Sequence, residues 1–184
     1  MKLPPDLRDS LLRSIPSMRA FAISLTGDLD QADDLVQEAL VRGLAHISQF
    51  HPGTNIQAWL FTILRNQFHT SYRKRRREVD DPDGGIAARL AVPPEQDGHL
   101  DVADLKAALA QLPVDQREAI LLVGAQGFSY EETAAICGAR IGTIKSRISR
   151  ARTRLAELLC IESPEDIGAD RMLKATIFSE TCTR

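Results

Sequence analysis

Cysteine is scarce in this chain: Cys137, Cys160 and Cys182 are odd in number and far apart, so neither a disulfide framework nor a Cys-x-x-Cys metal site is indicated. Long apolar runs are missing as well. No stretch approaches the length needed to span a bilayer, and the start, Met1-Lys2-Leu3-Pro4-Pro5-Asp6, lacks the apolar core of a signal peptide. A cytoplasmic protein with no membrane partner is expected. His46, His51, His69 and His99 show no metal-ligand spacing, and there is no Gly-rich phosphate loop. The acidic clusters fall at a helix start and in a linker rather than converging on a pocket, so no enzyme, metal, cofactor or small-molecule substrate is expected. Excess positive charge is absent too, the formal net charge being −2. What remains is ordinary: 184 residues, 43% hydrophobic and 26% charged, enough for two small soluble domains or one larger one.

The most informative stretch is 129–154. Ser129 followed by Glu132 is a capping box, in which hydroxyl and carboxylate each satisfy a backbone N–H left over at a helix start. The helix beginning at Tyr130 is short, because Cys137-Gly138 reads as its end, Gly tolerating the left-handed cap. A second helix follows, with Ile141, Ile144, Ile148, Ala151 and Leu155 on one face. Two helices across so short a Gly-containing turn form a helix-turn-helix. The other face of the second helix carries Arg140, Lys145, Arg147, Arg150, Arg152 and Arg154 with no acid among them, and Thr143, Ser146 and Ser149 near its start. Short polar groups at that end suit base edges in a major groove, and the arginines further along suit phosphates. A solvated basic face on an ordinary helical hairpin is the alternative; it leaves the coincidence of cap, turn and single sign unexplained. Since affinity for phosphate draws on excess Lys and Arg, a net charge of −2 requires that charge be segregated, or that another component bring this chain to DNA.

Segregation is visible along the chain. Residues 6–25 read as helix interrupted at Pro16, with Leu7, Leu11, Ile15, Met18, Ala22 and Leu25 as a buried stripe. After a turn at 26–28, Asp30 is expected to cap a longer helix that buries Ala32, Leu35, Val36, Ala39, Leu40, Leu44 and Ile47. Its opposite side opens with Asp33, Asp34, Gln37 and Glu38. The helix dipole accounts for Asp33 and Asp34, and a docking surface for a basic partner accounts for the whole patch; on charge alone the two readings stand level. Residues 50–55 form a loop by their Pro-Gly pair, and Thr54 or Asn55 caps the next helix. That helix is expected to bury Ile56, Trp59, Leu60, Ile63, Leu64 and Phe68, leaving Gln57, Phe61, Arg65, Asn66, His69 and Arg73 on other faces. It runs into five successive cations, Arg73 to Arg77, beside amide, imidazole and aromatic groups, which suits single-stranded nucleic acid.

From 78 to 100 the composition turns acidic and rich in Gly and Pro, the mark of a flexible linker, although residues 86–90 could form a helical turn on a partner. An all-α protein of two small helical domains is therefore expected: 1–77, then the linker 78–100, then 101–160 ending in the helix-turn-helix. A tail, 161–184, has no assigned role beyond a possible helix starting near Ser163.

Four motifs then occur in order: Asp33-Asp34-Leu35-Val36-Gln37-Glu38; Ala58-Trp59-Leu60-Phe61-Thr62-Ile63-Leu64-Arg65-Asn66; Leu112-Pro113 with Gln116-Arg117-Glu118-Ala119; and Gly142-Thr143-Ile144-Lys145-Ser146-Arg147 through Arg150-Ala151-Arg152. Together they resemble a bacterial sigma factor of the extracytoplasmic-function (ECF) group, and more loosely its general-stress branch in alphaproteobacteria. The resemblance covers roughly residues 7–159. It implies two domains, region 2 and region 4, and a chain that reaches promoter DNA as a subunit of core RNA polymerase, which removes the charge puzzle. It also implies that Asp33, Asp34, Gln37 and Glu38 dock on the polymerase β′ clamp helices, with the β flap as a further contact. His51, Thr54, Asn55, Arg65, Asn66, His69 and Arg73 would read and trap the −10 element as single strand. Arg140, Thr143, Lys145, Ser146, Arg147, Ser149 and Arg150 would meet the −35 element. The linker would lie in the channel used by nascent RNA, and a separate anti-sigma protein would control the chain.

Two rivals share parts of this pattern. A sigma-like decoy that sequesters the anti-sigma protein has the same helical layout, but it has no physical reason to keep every basic residue of the second helix, and no receiver domain is present. A conventional helix-turn-helix regulator, binding duplex DNA as a dimer, leaves the basic run at Arg73 and the acidic linker without a purpose.

Overall fold

The computed structural model describes residues 4–78 and 102–160, without the side chains of 76–78 and 102. The expected linker, including the turn at 86–90, and the tail from 161 lie outside the described residues. Everything regular that is described is helical: α1 (Pro5–Thr26), α2 (Leu29–Ala45), α3 (Ile56–Glu78), α4 (Val102–Ala110), α5 (Val114–Ile120), α6 (Tyr130–Cys137) and α7 (Ile141–Leu158). A 3-10 turn, Ile47–Gln49, follows α2. The all-α class is as expected.

Local chemistry sets the boundaries, and not always where the sequence pointed. α1 runs through Pro16 without a break. Pro16 and Leu12 both lie on the exposed side, where water can take up the carbonyl that the missing N–H leaves free. The cap of α2 is Asp28, whose carboxylate accepts from Gln31 N at 2.9 Å, and not Asp30. Asn55 rather than Thr54 starts α3, its Oδ1 accepting from the N–H groups of Gln57 and Ala58. Leu44 was expected in the core and is exposed. α5 passes into a wider π turn, Leu121–Ala125, that buries Leu121, Leu122, Gly124 and Ala125 together.

α1, α2 and α3 form one three-helix unit. Gly43 lets α2 approach α3 closely, since a Cβ there would stand 3.0 Å from Leu60 Cδ2. α5, α6 and α7 form the other unit, with α4 against α7. The two units pack on one another, α3 against α6 and α1 against α4 and α5. Three rings bridge them: Phe61 lies 5.2 Å from Phe21 of α1 and 5.1 Å from Phe128, which precedes α6. Phe61, expected on an outer face, is fully buried, because α3 has core on two sides.

Candidate nucleic-acid and polymerase interfaces

The helix-turn-helix is built as its sequence dictates. Ser129 Oγ accepts from Glu132 N at 3.0 Å, and Glu132 Oε2 accepts from Ser129 N at 2.9 Å. Gly138 closes α6 in the left-handed conformation, φ 60°. Ser129→Ala is expected to cost about 1 kcal/mol, read as a lower urea midpoint, with no change at the distant Asp28 cap.

On α7, Ile144, Ile148, Ala151 and Leu155 are buried. Lys145, Ser146, Ser149, Arg150 and Arg154 are exposed along the opposite side, with Arg140 exposed at the cap and Thr143 half-buried. Ser146 Oγ donates to Thr143 O at 2.9 Å, and Arg150 reaches Ser146 Oγ at 3.4 Å, so the start of the helix presents a pre-ordered polar edge. Arg147 is the exception. Its guanidinium lies 2.6 Å from Asp115 on α5, and it faces the seam between the two units.

On α2, Asp34, Gln37 and Glu38 are exposed, and Val41, one turn on, is 66% exposed beside them. Asp33 is partly withdrawn: Arg19 of α1 grips both its oxygens, at 2.6 and 3.1 Å. That hydrogen bond lowers the Asp33 pKa from its ordinary value.

His51, Thr54, Asn55, Asn66 and Arg73 are all exposed. The residues expected to handle the −10 strand are nevertheless partly occupied by the second unit. Asn55 Nδ2 donates to Glu132 Oε1 at 2.8 Å, and Arg65 Nε donates to Glu118 Oε2 at 3.0 Å. His69 Nε2 lies 2.6 Å from Glu118 Oε1, an ion pair when the imidazole is protonated, but without hydrogen-bond alignment. The Glu118 side chain is fully buried. Arg65, Asn66, His69, Thr70 and Arg73 line a cleft of about 450 Å³ with Asp115 and Arg147 of the second unit. One residue before Glu118, buried Arg117 donates to Ser24 O of α1 and to Ala110 O and Leu112 O of its own unit. Burial lowers its pKa. From sequence alone Gln116-Arg117-Glu118-Ala119 has no assigned contact, since α5 (VDQREAI) is mostly polar and nothing in its pattern marks Arg117 and Glu118 as buried.

His69, Asp115 and Glu118 bring ligand atoms within 4.8 Å of one another, a set that no sequence spacing could reveal. Two guanidiniums already share those carboxylates, Arg65 on Glu118 and Arg147 on Asp115. They supply the positive charge a divalent ion would bring, and the cluster is an ion-pair network. Cys137 is a packing residue, its thiol pushed up to about 11 by burial.

Comparison with known proteins decides the family. The sigma-70 region 2 profile matches residues 11–78, and the sigma-70 region 4 profile matches 103–155. The ECF RNA polymerase sigma factor EcfG of Rhodopseudomonas palustris is 58% identical over 177 residues, 96% of this chain and 98% of that one. This chain belongs to the ECF sigma-70 family of RNA polymerase sigma factors. The fold is also that of the sigma factor RpoE in its complex with the anti-sigma factor NepR from Bartonella quintana: TM-score 0.75, 54% identity, covering 87% of this chain and 100% of that one. The anti-anti-sigma factor PhyR of the same organism, solved with NepR, shares the fold alone, at 18% identity and TM-score 0.55, over 82% of this chain and 49% of that one. The identity thus lies with the sigma factors and not with the decoy-like rival. As a sigma factor, the chain directs transcription initiation by RNA polymerase.

Proposed function

We propose that this ECF sigma factor divides its work among three surfaces. The unit 1–77 carries polymerase docking on Asp34, Gln37 and Glu38, with Asp33 at their edge; it also carries −10 capture on His51, Thr54, Asn55, Arg65, Asn66, His69 and Arg73. The unit 101–160 reads the −35 element with Arg140, Thr143, Lys145, Ser146, Ser149 and Arg150. The observation that carries this reading is the exposed face from Arg140 to Arg154, basic and without an acidic residue, fixed to a helix-turn-helix whose first helix is closed by a capping box at one end and Gly138 at the other.

The energetics are consistent with that division. Opening duplex costs about 1.4 kcal/mol per base step, and each captured base returns about 1–3 kcal/mol by stacking on a ring or guanidinium. The chain itself supplies binding and leaves covalent chemistry to the polymerase. It works where core polymerase works, in the bacterial cytoplasm, and serves stress-response promoters. Because the similar RpoE was solved with an anti-sigma protein, a separate anti-sigma chain is proposed as the control.

Arg150→Ala tests the −35 assignment. A base-reading arginine is worth about 1–3 kcal/mol of discrimination, so the variant should lose preference at one −35 position in a mobility-shift series with holoenzyme. Equal weakening on every −35 sequence would make Arg150 a phosphate contact.

A further inference from the structure

We infer that the cleft between the two units is a binding site for a small polyphosphate, either inorganic or the phosphate chain of a nucleotide. Its walls carry three guanidiniums, Arg65 and Arg73 of α3 and Arg147 of α7, against one carboxylate, Asp115. No apolar side chain lines it, so charge and hydrogen bonds must select the ligand. Fixed cations facing one another across a concave surface focus their field on an anion. Donors remain free after the internal pairing. Arg65 gives Nε to Glu118, which leaves its two Nη groups. Arg147 gives Nη2 to Asp115, while Nη1, shut off from water, has no hydrogen-bond partner. An unmet buried donor is costly, and a phosphate oxygen that drew the guanidinium round would relieve it by a charge-assisted bond. Arg73 is exposed and has no ion-pair partner among the described residues.

Spacing sets the size of the ligand. Arg65, His69 and Arg73 follow one another at intervals of one helical turn, which places the first and last about 12 Å apart along the α3 axis. One phosphate cannot bridge that distance, whereas a chain of two or three can, the long arginine side chains closing the remainder. A cleft of about 450 Å³ has room for it and lies in the usual range for small-ligand sites. Because α3 belongs to the first unit and Arg147 and Asp115 to the second, a bound polyphosphate joins the two, and by linkage it favours the free chain in this arrangement. A phosphorylated small molecule thus gains a hold on the sigma factor before polymerase does. The site stands whether or not Asn66, His69 and Arg73 also take the −10 strand.

Calorimetric titration of the full chain at fixed ionic strength tests the site, with inorganic tripolyphosphate, ATP and orthophosphate as probes. One tripolyphosphate should bind per chain, about tenfold more tightly than orthophosphate, which can meet only one of the separated guanidiniums. Arg73→Gln and Arg147→Gln should each weaken binding about tenfold, the effect of one charge-assisted hydrogen bond. Arg154→Gln removes the same charge from an exposed position outside the cleft and should leave the affinity unchanged. ATP no tighter than tripolyphosphate identifies the phosphate chain itself as the ligand; tighter ATP assigns a nucleotide, with the exposed Asn66 amide at the rim for its base. No binding of either probe at millimolar concentration, or equal weakening in all three variants, overturns the site. Loss with Arg73→Gln but not with Arg147→Gln would leave a patch on α3 alone and refute a site between the units. Should Arg147→Gln fold poorly, Arg147→Lys replaces it, keeping the charge but not the two-pronged donor; weaker binding is again expected, and undiminished binding counts against the site.

Discussion

Phe61→Ala is expected to cost about 3–5 kcal/mol of stability, the range for removing a fully buried aromatic ring, and to lower the melting temperature by about 10 °C. The expectation follows from position. Phe61 has no exposed surface and sits between Phe21 on one side and Phe128 on the other, with ring centroids near 5 Å in both pairs. Its loss leaves a cavity at the junction of the two units, where neither can collapse without moving away from the other. Leu12→Ala, at a position half open to solvent, should change stability by only about 0.5 kcal/mol. Chemical denaturation of both variants decides the matter, and a Phe61→Ala cost no larger than that of Leu12→Ala would mean that the rings do not meet in solution.

Charge reversal on α2 should have an equally large effect on assembly and little on the fold. Asp34 and Glu38 are one turn apart, exposed, and have no ion-pair partner among the described residues. Replacing both with Lys would set cations against a basic polymerase surface, where like charges cost several kcal/mol. At about 3 kcal/mol, affinity for core polymerase falls about a hundredfold. Circular dichroism and thermal unfolding should stay near wild type. Asp33→Asn makes the contrast: its carboxylate serves Arg19 within the unit, so that variant should lose up to about 1 kcal/mol of stability and much less polymerase affinity. Undiminished binding by Asp34→Lys/Glu38→Lys would remove this face as the dock.

Elements governed by neighbours in sequence were legible from sequence. The capping box at Ser129, the left-handed Gly138 and the α7 stripe from Ile144 to Leu155 all depend on residues within four positions, and each is present; Ile141, expected in that stripe, is exposed at the first turn, and of the two caps expected for α3, Thr54 or Asn55, the structure uses Asn55. Pro16 misled because a proline costs a helix less where the freed carbonyl can reach water. Asp28 and Asp30 are both competent caps, and the turn at Thr26, whose hydroxyl accepts from Asp28 N at 3.3 Å, favours the earlier one. Phe61 and Glu118 were out of reach for a different reason. A hydrophobic stripe describes one buried face, and α3 has two, the second supplied by helices more than fifty residues away. The same distance hid Glu118, whose partners lie on the far side of the linker. Arg147 shows the limit for function: its place in the basic run suggested DNA, while Asp115 turns it into the seam.

The measurement that bears most directly on the account is run-off transcription with purified core RNA polymerase, a genomic promoter library and this chain as the only added factor. Discrete transcripts sharing two upstream elements are predicted, lost with Asp34→Lys/Glu38→Lys and altered in −35 preference with Arg150→Ala. Transcripts that do not depend on the added chain, or none with the folded protein, would contradict the assignment of these surfaces to promoter-directed initiation.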